Sequence, residues 1–110
     1  MKRIVISTFR NRISSRLDSS DEVLLISVED GSVSNRKTVR ILPSSLLDKI
    51  QQIVELNPDV LICGGLTQFC NNKLENSSIK VIPWIKGNTE EVLKQFLDGQ
   101  LSKSVTIINK

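Results

Sequence analysis

The chain has 110 residues, of which 39% are hydrophobic and 25% are charged. This length is enough for one domain with a buried core and too short for two, so every motif must share one fold. The composition is that of an ordinary globular protein and excludes a disordered, collagen-like or disulfide-scaffolded chain. The formal charge of +3 allows an anionic partner, and a solvated surface explains so mild an excess at least as well.

The pattern of apolar residues contains no membrane or export signal. No apolar run approaches the ~18 residues that a membrane span needs, and MKRIVISTF lacks the apolar stretch and cleavage site of a signal peptide. We therefore expect a cytoplasmic protein with no membrane partner. In that reducing compartment Cys63 and Cys70 are expected to be free thiols.

The first half of the chain predicts three strands. Residues 2–7 contain an unbroken apolar run, which is typical of a central strand covered on both faces. A polar loop with Arg10 and Arg12 follows, and residues 13–17 fit either a short strand or a continuation of that loop. Residues 23–28 and 33–41 flank an Asp-Gly pair, which predicts a hairpin, and the second of these strands alternates as a half-exposed edge strand does.

The second half alternates between strands and helices. Ser45 with Asp48 can cap a first helix, which ends before Asn57-Pro58. A short buried strand at 59–63, a Gly-Gly turn, a second helix, a strand at 79–82 and a third helix capped by Asn88 follow. This alternation predicts parallel strands with right-handed crossovers, so the whole sheet should be mixed. The predicted core includes Ile50, Ile53, Leu61, Phe69, Leu93 and Phe96.

Four segments of the sequence together resemble one known family. They are KRIVIST, EDGSV, DVLICGGL and IKVIPWIKGNTEEVLKQFLDGQL, and in this combination they are similar to the prokaryotic dinitrogenase iron-molybdenum cofactor biosynthesis family. The resemblance implies an α/β, ribonuclease-H-like domain over residues 1–103, with a mixed five-stranded sheet and helices on both faces. Residues 104–110 form a tail without an assigned role. Characterised relatives bind or carry iron-sulfur or iron-molybdenum cofactor precursors, so metallocluster assembly or acceptor proteins are the implied partners.

The candidate site lies where the parallel strands end, because ligands of open α/β sheets bind beyond the carboxyl ends of the strands. Three loops should therefore meet there and form one depression. This depression would suit an anionic cofactor or small molecule, because guanidinium groups and the backbone N–H groups near a helix start favour negative charge. A lone glycine pair is weak evidence for such a site, and a tight strand-to-helix turn alone explains Gly64-Gly65 at least as well. The predicted site residues are Arg10, Arg12, Cys63, Gly64, Gly65, Trp84, Lys86 and Gly87.

The two cysteines offer little metal ligation. They are separated by six residues, which matches no zinc or iron-sulfur motif. Cys63, beside the glycine turn, is the candidate metal ligand, whereas Cys70 lies in an apolar helical stripe and is interpreted as a core thiol. Because two thiolates cannot complete an ordinary cluster shell, an iron-sulfur or iron-molybdenum cluster precursor would need carboxylates, exogenous ligands or a second chain.

No catalytic constellation is present in the sequence. The first strand has no carboxylate for a two-metal nuclease, and the chain has no histidine for a triad. We therefore predict a non-enzymatic accessory protein that binds or carries an anionic metallocluster at the carboxyl ends of the parallel strands. The alternative is a nucleic-acid or protein-interaction module that uses Arg10, Arg12 and Arg16. An aromatic content of 4% argues against nucleic acid as the partner.

Overall fold

A mixed sheet with three helices around it forms the domain. The computed structural model describes residues 2–41 and 45–99. The order of elements along the chain is β1 (Lys2–Phe9), β2 (Arg12–Ile13), a 3-10 turn (Leu17–Ser19), β3 (Glu22–Glu29), β4 (Ser32–Arg40), α1 (Leu46–Glu55), β5 (Val60–Ile62), α2 (Gln68–Asn76), β6 (Lys80–Ile82) and α3 (Thr89–Leu97).

Strand β1 is central, as its apolar run predicts. The sheet order is β4-β3-β1-β5-β6, and β2 pairs with β1 outside this path. Strand β3 runs antiparallel to β1, whereas β5 is parallel to β1 and β6 is parallel to β5. The parallel second half follows from the two crossovers through α1 and α2. The predictions of a mixed sheet and of a β1 flanked by the hairpin and by β5 are confirmed.

The hairpin forms at the predicted dipeptide and places β4 at the edge of the sheet. Glu29 pairs with Ser32, so Asp30 and Gly31 are the two loop residues. Both have positive φ, 53° and 79° respectively, which is the geometry that favours Asp-Gly in two-residue hairpin turns.

Helices cover both faces of the sheet. On one face α1 and α2 pack against side chains such as Val5 and Leu61, and on the other face α3 packs against side chains such as Ile4 and Ile62. The strands thus bury alternate residues on opposite sides, which explains their nearly continuous apolar sequences. Within the described ranges, none of the helices has the length and apolar character needed to cross a membrane.

Three expectations need correction. The sheet has six strands, since the two-residue β2 adds to the expected five. Phe69 is 47% exposed and lies outside the core, because it occupies the first turn of a short helix whose buried residues are Cys70 and Leu74. Phe96 packs on the core but is only partly buried. The predicted domain boundary at 103 and the tail at 104–110 lie outside the described residues.

Candidate functional site

The segment after β1 folds back on its own strand. Phe9 pairs with Arg12, and Thr8 pairs with Ile13, so a two-residue turn through Arg10 and Asn11 joins β1 to β2. Arg10 adopts the left-handed conformation that this turn requires, with φ of 59°. Residues 13–17, for which the sequence allowed either a strand or a loop, thus form the end of a very short strand followed by irregular backbone.

This returning segment bridges the loops that follow β5 and β6. On one side the Ile13 N–H donates to the Gly87 carbonyl at 2.9 Å. On the other side the Gly65 N–H donates to Ser15 O and the Leu17 N–H donates to Gly65 O, both at 2.8 Å. The three strand-end loops are therefore held together by backbone hydrogen bonds. We call residues 12–17 the bridging segment.

The glycine pair allows this close approach. A Cβ atom at Gly64 would overlap the Ser14 carbonyl oxygen and would lie 2.5 Å from the Ser15 carbonyl oxygen. A Cβ atom at Gly65 would lie 2.9 Å from the Trp84 indole. The pair thus serves as more than a tight turn, because two other segments pack directly on its backbone.

The expected anion cradle of backbone N–H groups at this turn is not formed by Gly65. Its N–H is already donated to Ser15. Helix α2 begins three residues later, at Gln68, and its N-cap Thr67 accepts a hydrogen bond from the Cys70 N–H at 3.2 Å. The Gly65 N–H is therefore not available to an anion at this turn.

A cleft of about 590 Å³ opens between the bridging segment and the two loops. Of the eight predicted site residues, six line it; the roles assigned to them remain predictions. The sequence interpretation did not predict the other five lining residues. Three of these five belong to residues 13–17, for which the sequence allowed either a strand or a loop. The cleft is lined by Phe9, Arg12, Ile13, Ser14, Ser15, Gly64, Gly65, Trp84, Ile85, Lys86 and Gly87.

The cleft combines positive charge with aromatic surface. Arg12 and Lys86 contribute two cations from separate segments, and no Asp or Glu is among the described residues that line the cleft. Phe9 and Trp84 are 61% and 56% exposed. The two cations favour an anionic ligand, and the rings offer it an apolar contact surface.

The other two arginines of the first loop are engaged elsewhere. The Arg10 guanidinium lies over the Phe9 ring, 5.3 Å from its centroid, and Arg10 does not line the cleft. Arg16 forms an ion pair with Asp18, with Nε 3.0 Å from the carboxylate oxygen. This hydrogen bond lowers the pKa of Asp18 and raises that of Arg16. The three arginines thus have three different environments and do not act as one basic row.

Neither cysteine reaches the cleft. Cys63 is 0% exposed and Cys70 is 1% exposed, and both pack in the core beneath α1 and α2. Burial, with a smaller contribution from Cys70, raises the pKa of Cys63 to about 12. The thiol is therefore protonated and enclosed at neutral pH, so it does not supply a thiolate to the cleft. In the part of the chain that the structure describes, no cluster of three metal-ligating side chains occurs.

A buried lysine holds the chain shortly after the bridging segment. Lys49 in α1 is 2% exposed, and its ammonium group donates a hydrogen bond to the Ser20 carbonyl oxygen. Burial lowers the pKa of Lys49, and the negative charges of Asp18 and Asp21 partly oppose that effect. The contact anchors the residues just before β3 to α1.

Comparisons with known proteins establish the fold. No protein-family model matches the chain, and no curated protein sequence matches it. The solved structure of PH0822 superposes with a TM-score of 0.84 at 18% identity, over 89% of this chain and 90% of that one. A protein from Methanocaldococcus jannaschii, provisionally named a dinitrogenase, gives 0.73 at 20% identity over 89% of both chains. The apo form of the orange protein from Desulfovibrio gigas gives 0.75 at 17% identity, over 91% of this chain and 90% of that one.

Proposed function

We propose that this protein is a non-enzymatic accessory protein that holds an anionic cofactor, or a precursor of one, in the cleft at the carboxyl ends of β1, β5 and β6. The observation that supports it most is the meeting of Arg12 and Lys86 in a cleft whose lining, over the part of the chain that the structure describes, includes no carboxylate. Two cations on separate segments can hold an anion from two sides. The hydrogen-bonded bridging segment holds the loops in place before the ligand arrives, which reduces the cost of binding.

In its finer form, the proposal is that the ligand is an iron-sulfur or iron-molybdenum cluster precursor. The sequence resemblance implies this class, and the structural neighbours support a cofactor-related role: one carries a dinitrogenase name, and another was solved in an apo form. The same proposal includes membership in that cofactor biosynthesis family, a ribonuclease-H-like fold, a cytoplasmic location, and assembly or acceptor proteins as partners.

The donor set limits how a cluster is held. The Cys63 thiol is buried and protonated, and the described residues that line the cleft include no histidine, cysteine or carboxylate. We propose that the cluster arrives with its own sulfide or other exogenous ligands complete. Arg12 and Lys86 then bind its net negative charge, without a bond from the protein to the metal. The protein therefore stores or delivers a finished anion.

Tetrathiomolybdate is a suitable probe, because it is a coloured dianion whose metal is already fully ligated by sulfide. We expect saturable binding to the wild-type protein under anaerobic conditions, measured by its visible absorption after equilibrium dialysis. The double variant Arg12→Ala, Lys86→Ala should bind at least about tenfold more weakly, since it removes both charge-assisted hydrogen bonds to the probe.

Two control variants separate the cleft from general charge and from thiolate ligation. Lys37→Ala removes one exposed cation on the edge strand β4 that does not line the cleft, and it should leave binding unchanged. Cys63→Ser should also bind normally if it folds. The proposal fails if the double variant binds as tightly as wild type, or if folded Cys63→Ser loses the probe.

A further inference from the structure

We propose that Trp84 is a stacking platform, so that the cleft accepts anions bearing a flat conjugated ring, the chemistry of a phosphorylated nucleoside. This inference rests on the proposed anion-binding function and names a ligand class for the same site. It assigns a role to the aromatic side chains that line the cleft, which the proposed anion binding by Arg12 and Lys86 does not involve.

The indole of Trp84 rests on backbone and remains open to solvent. Its six-membered ring contacts the chain at Gly65, where a Cβ atom would lie 2.9 Å from Cζ3 and 3.2 Å from Cη2. Even so, the residue is 56% exposed. A tryptophan that serves only as a packing anchor buries most of its large apolar surface. Here Gly65 supports the ring and leaves much of it available.

The backbone holds the ring at a cost. Trp84 has a φ of 64°, in the left-handed region that bulky residues avoid. The Trp84 N–H donates to Gly64 O at 2.9 Å, and the following Ile85 N–H donates to Cys63 O at 3.0 Å. These hydrogen bonds hold the Trp84 backbone against the glycine turn on which the indole packs. Conformational strain of this kind is typical of binding sites.

A second ring and the two cations complete the pattern. Phe9 also lines the cleft and is 61% exposed, so two of the four aromatic side chains in the chain are displayed in one depression. Arg12 and Lys86 supply the charge that a phosphate group requires. A volume of about 590 Å³ lies within the usual range for small-molecule sites.

Trp84 is the only tryptophan in the chain, so its fluorescence reports on this site alone. We would excite it at the red edge of the indole band, where adenine absorbs little, and titrate the wild-type protein with AMP, ribose 5-phosphate and adenosine. AMP should quench the emission and saturate. The other two ligands, each lacking either the ring or the phosphate, should bind at least about tenfold more weakly.

Variants test the platform directly, with calorimetry as the readout because the fluorophore is changed. Trp84→Leu should weaken AMP binding by about tenfold or more and leave ribose 5-phosphate binding unchanged. Phe69→Leu is the matched control, since Phe69 is 47% exposed and does not line the cleft. It should bind AMP as wild type does.

The ligand chemistry has two sources, a free nucleotide or the end of a single-stranded nucleic acid. Oligoadenylate distinguishes them: affinity similar to that of AMP identifies the free nucleotide, whereas tighter binding with a steeper salt dependence identifies the nucleic acid. The inference is overturned if AMP binds no better than ribose 5-phosphate, or if Trp84→Leu and Phe69→Leu behave alike. If the protein binds tetrathiomolybdate but not AMP, only the nucleotide inference is rejected. If it binds AMP but not tetrathiomolybdate, only the cluster proposal is rejected.

Discussion

Replacing Gly64 with alanine tests whether the close approach at the glycine turn holds the cleft together. The new methyl group would overlap the Ser14 carbonyl oxygen and press on the Ser15 backbone. Because these contacts are with backbone, no side-chain rotation relieves them. The bridging segment must move away, and that movement strains the hydrogen bonds that Gly65 exchanges with Ser15 and Leu17.

The magnitude follows from the steric overlap and from the hydrogen bonds that the movement weakens. Overpacking costs about 1–3 kcal/mol, and each of two weakened hydrogen bonds adds about 1 kcal/mol. The lower flexibility of unfolded alanine returns about 0.4–1 kcal/mol. We therefore expect Gly64→Ala to lower the free energy of unfolding by about 2–4.6 kcal/mol, which leaves a typical domain of this size folded.

The assay is urea unfolding at equilibrium, followed by circular dichroism and by Trp84 emission. Gly31→Ala is the control, because its Cβ atom would meet nothing within 4 Å and its φ of 79° limits the cost to conformational strain, about 1–2 kcal/mol. Only Gly64→Ala should alter native Trp84 emission, since the Trp84 N–H bonds to Gly64 O. A cost below about 1 kcal/mol with unchanged emission would refute the packing argument.

Three further outcomes follow from burial. The Cys63 thiol, with its pKa raised to about 12, should resist Ellman's reagent at pH 8 in native protein and react after unfolding; rapid native reaction of Cys63 would contradict its burial. Burial lowers the folded-state pKa of Lys49 below its ordinary value of 10.5, so between these two pKa values the unfolded chain binds more protons than the folded one. The free energy of unfolding of wild type should therefore rise relative to that of Lys49→Met as the pH increases toward 10.5. A stability difference between the two proteins that does not change with pH would contradict this. Leu93→Ala should cost about 2–5 kcal/mol, whereas Phe69→Ala should stay within about 0.5 kcal/mol, and denaturant melts with similar costs would contradict the burial assignment.

Sheet order could be predicted because the decisive signals are local and strong. The apolar run of β1 requires cover on both faces, which only an interior strand receives. The Asp30-Gly31 pair specifies a two-residue hairpin, and two strand-helix alternations specify parallel crossovers. These rules together determine the neighbours of β1 without knowledge of any side-chain contact.

The site was predictable only to the level of its loops. Parallel strands bring their outgoing loops to one edge, so Arg12 and Lys86 could be placed together. The direction of each side chain depends on finer geometry. Cys63 continues the alternation of β5 by one residue and therefore points with Leu61 into the core beneath α1 and α2. Applying the same alternation beyond the end of the strand would have revealed its burial.

Contacts distant in sequence escaped the sequence interpretation. The bridging segment pairs with β1 over two residues, with Gly65 through two hydrogen bonds and with Gly87 through one. No periodicity of the sequence signals so short a ladder. Phe69 was misassigned because one turn of apolar spacing cannot show which side of a short helix is buried. Phe9 was not predicted to line the cleft, because the sequence placed it in the polar loop after the first strand. In the structure Phe9 is the last residue of β1.

Chemical-shift mapping of the amide groups during a tetrathiomolybdate titration tests the central claim most directly. The cleft should give saturable shifts at Ser14, Gly65, Lys86 and Gly87, while the edge strand β4 stays unchanged. Arg12→Ala combined with Lys86→Ala should abolish the shifts at the same probe concentration. The claim is contradicted if the shifts fail to saturate, or if they centre on Cys70 and α2 and survive the loss of both cations.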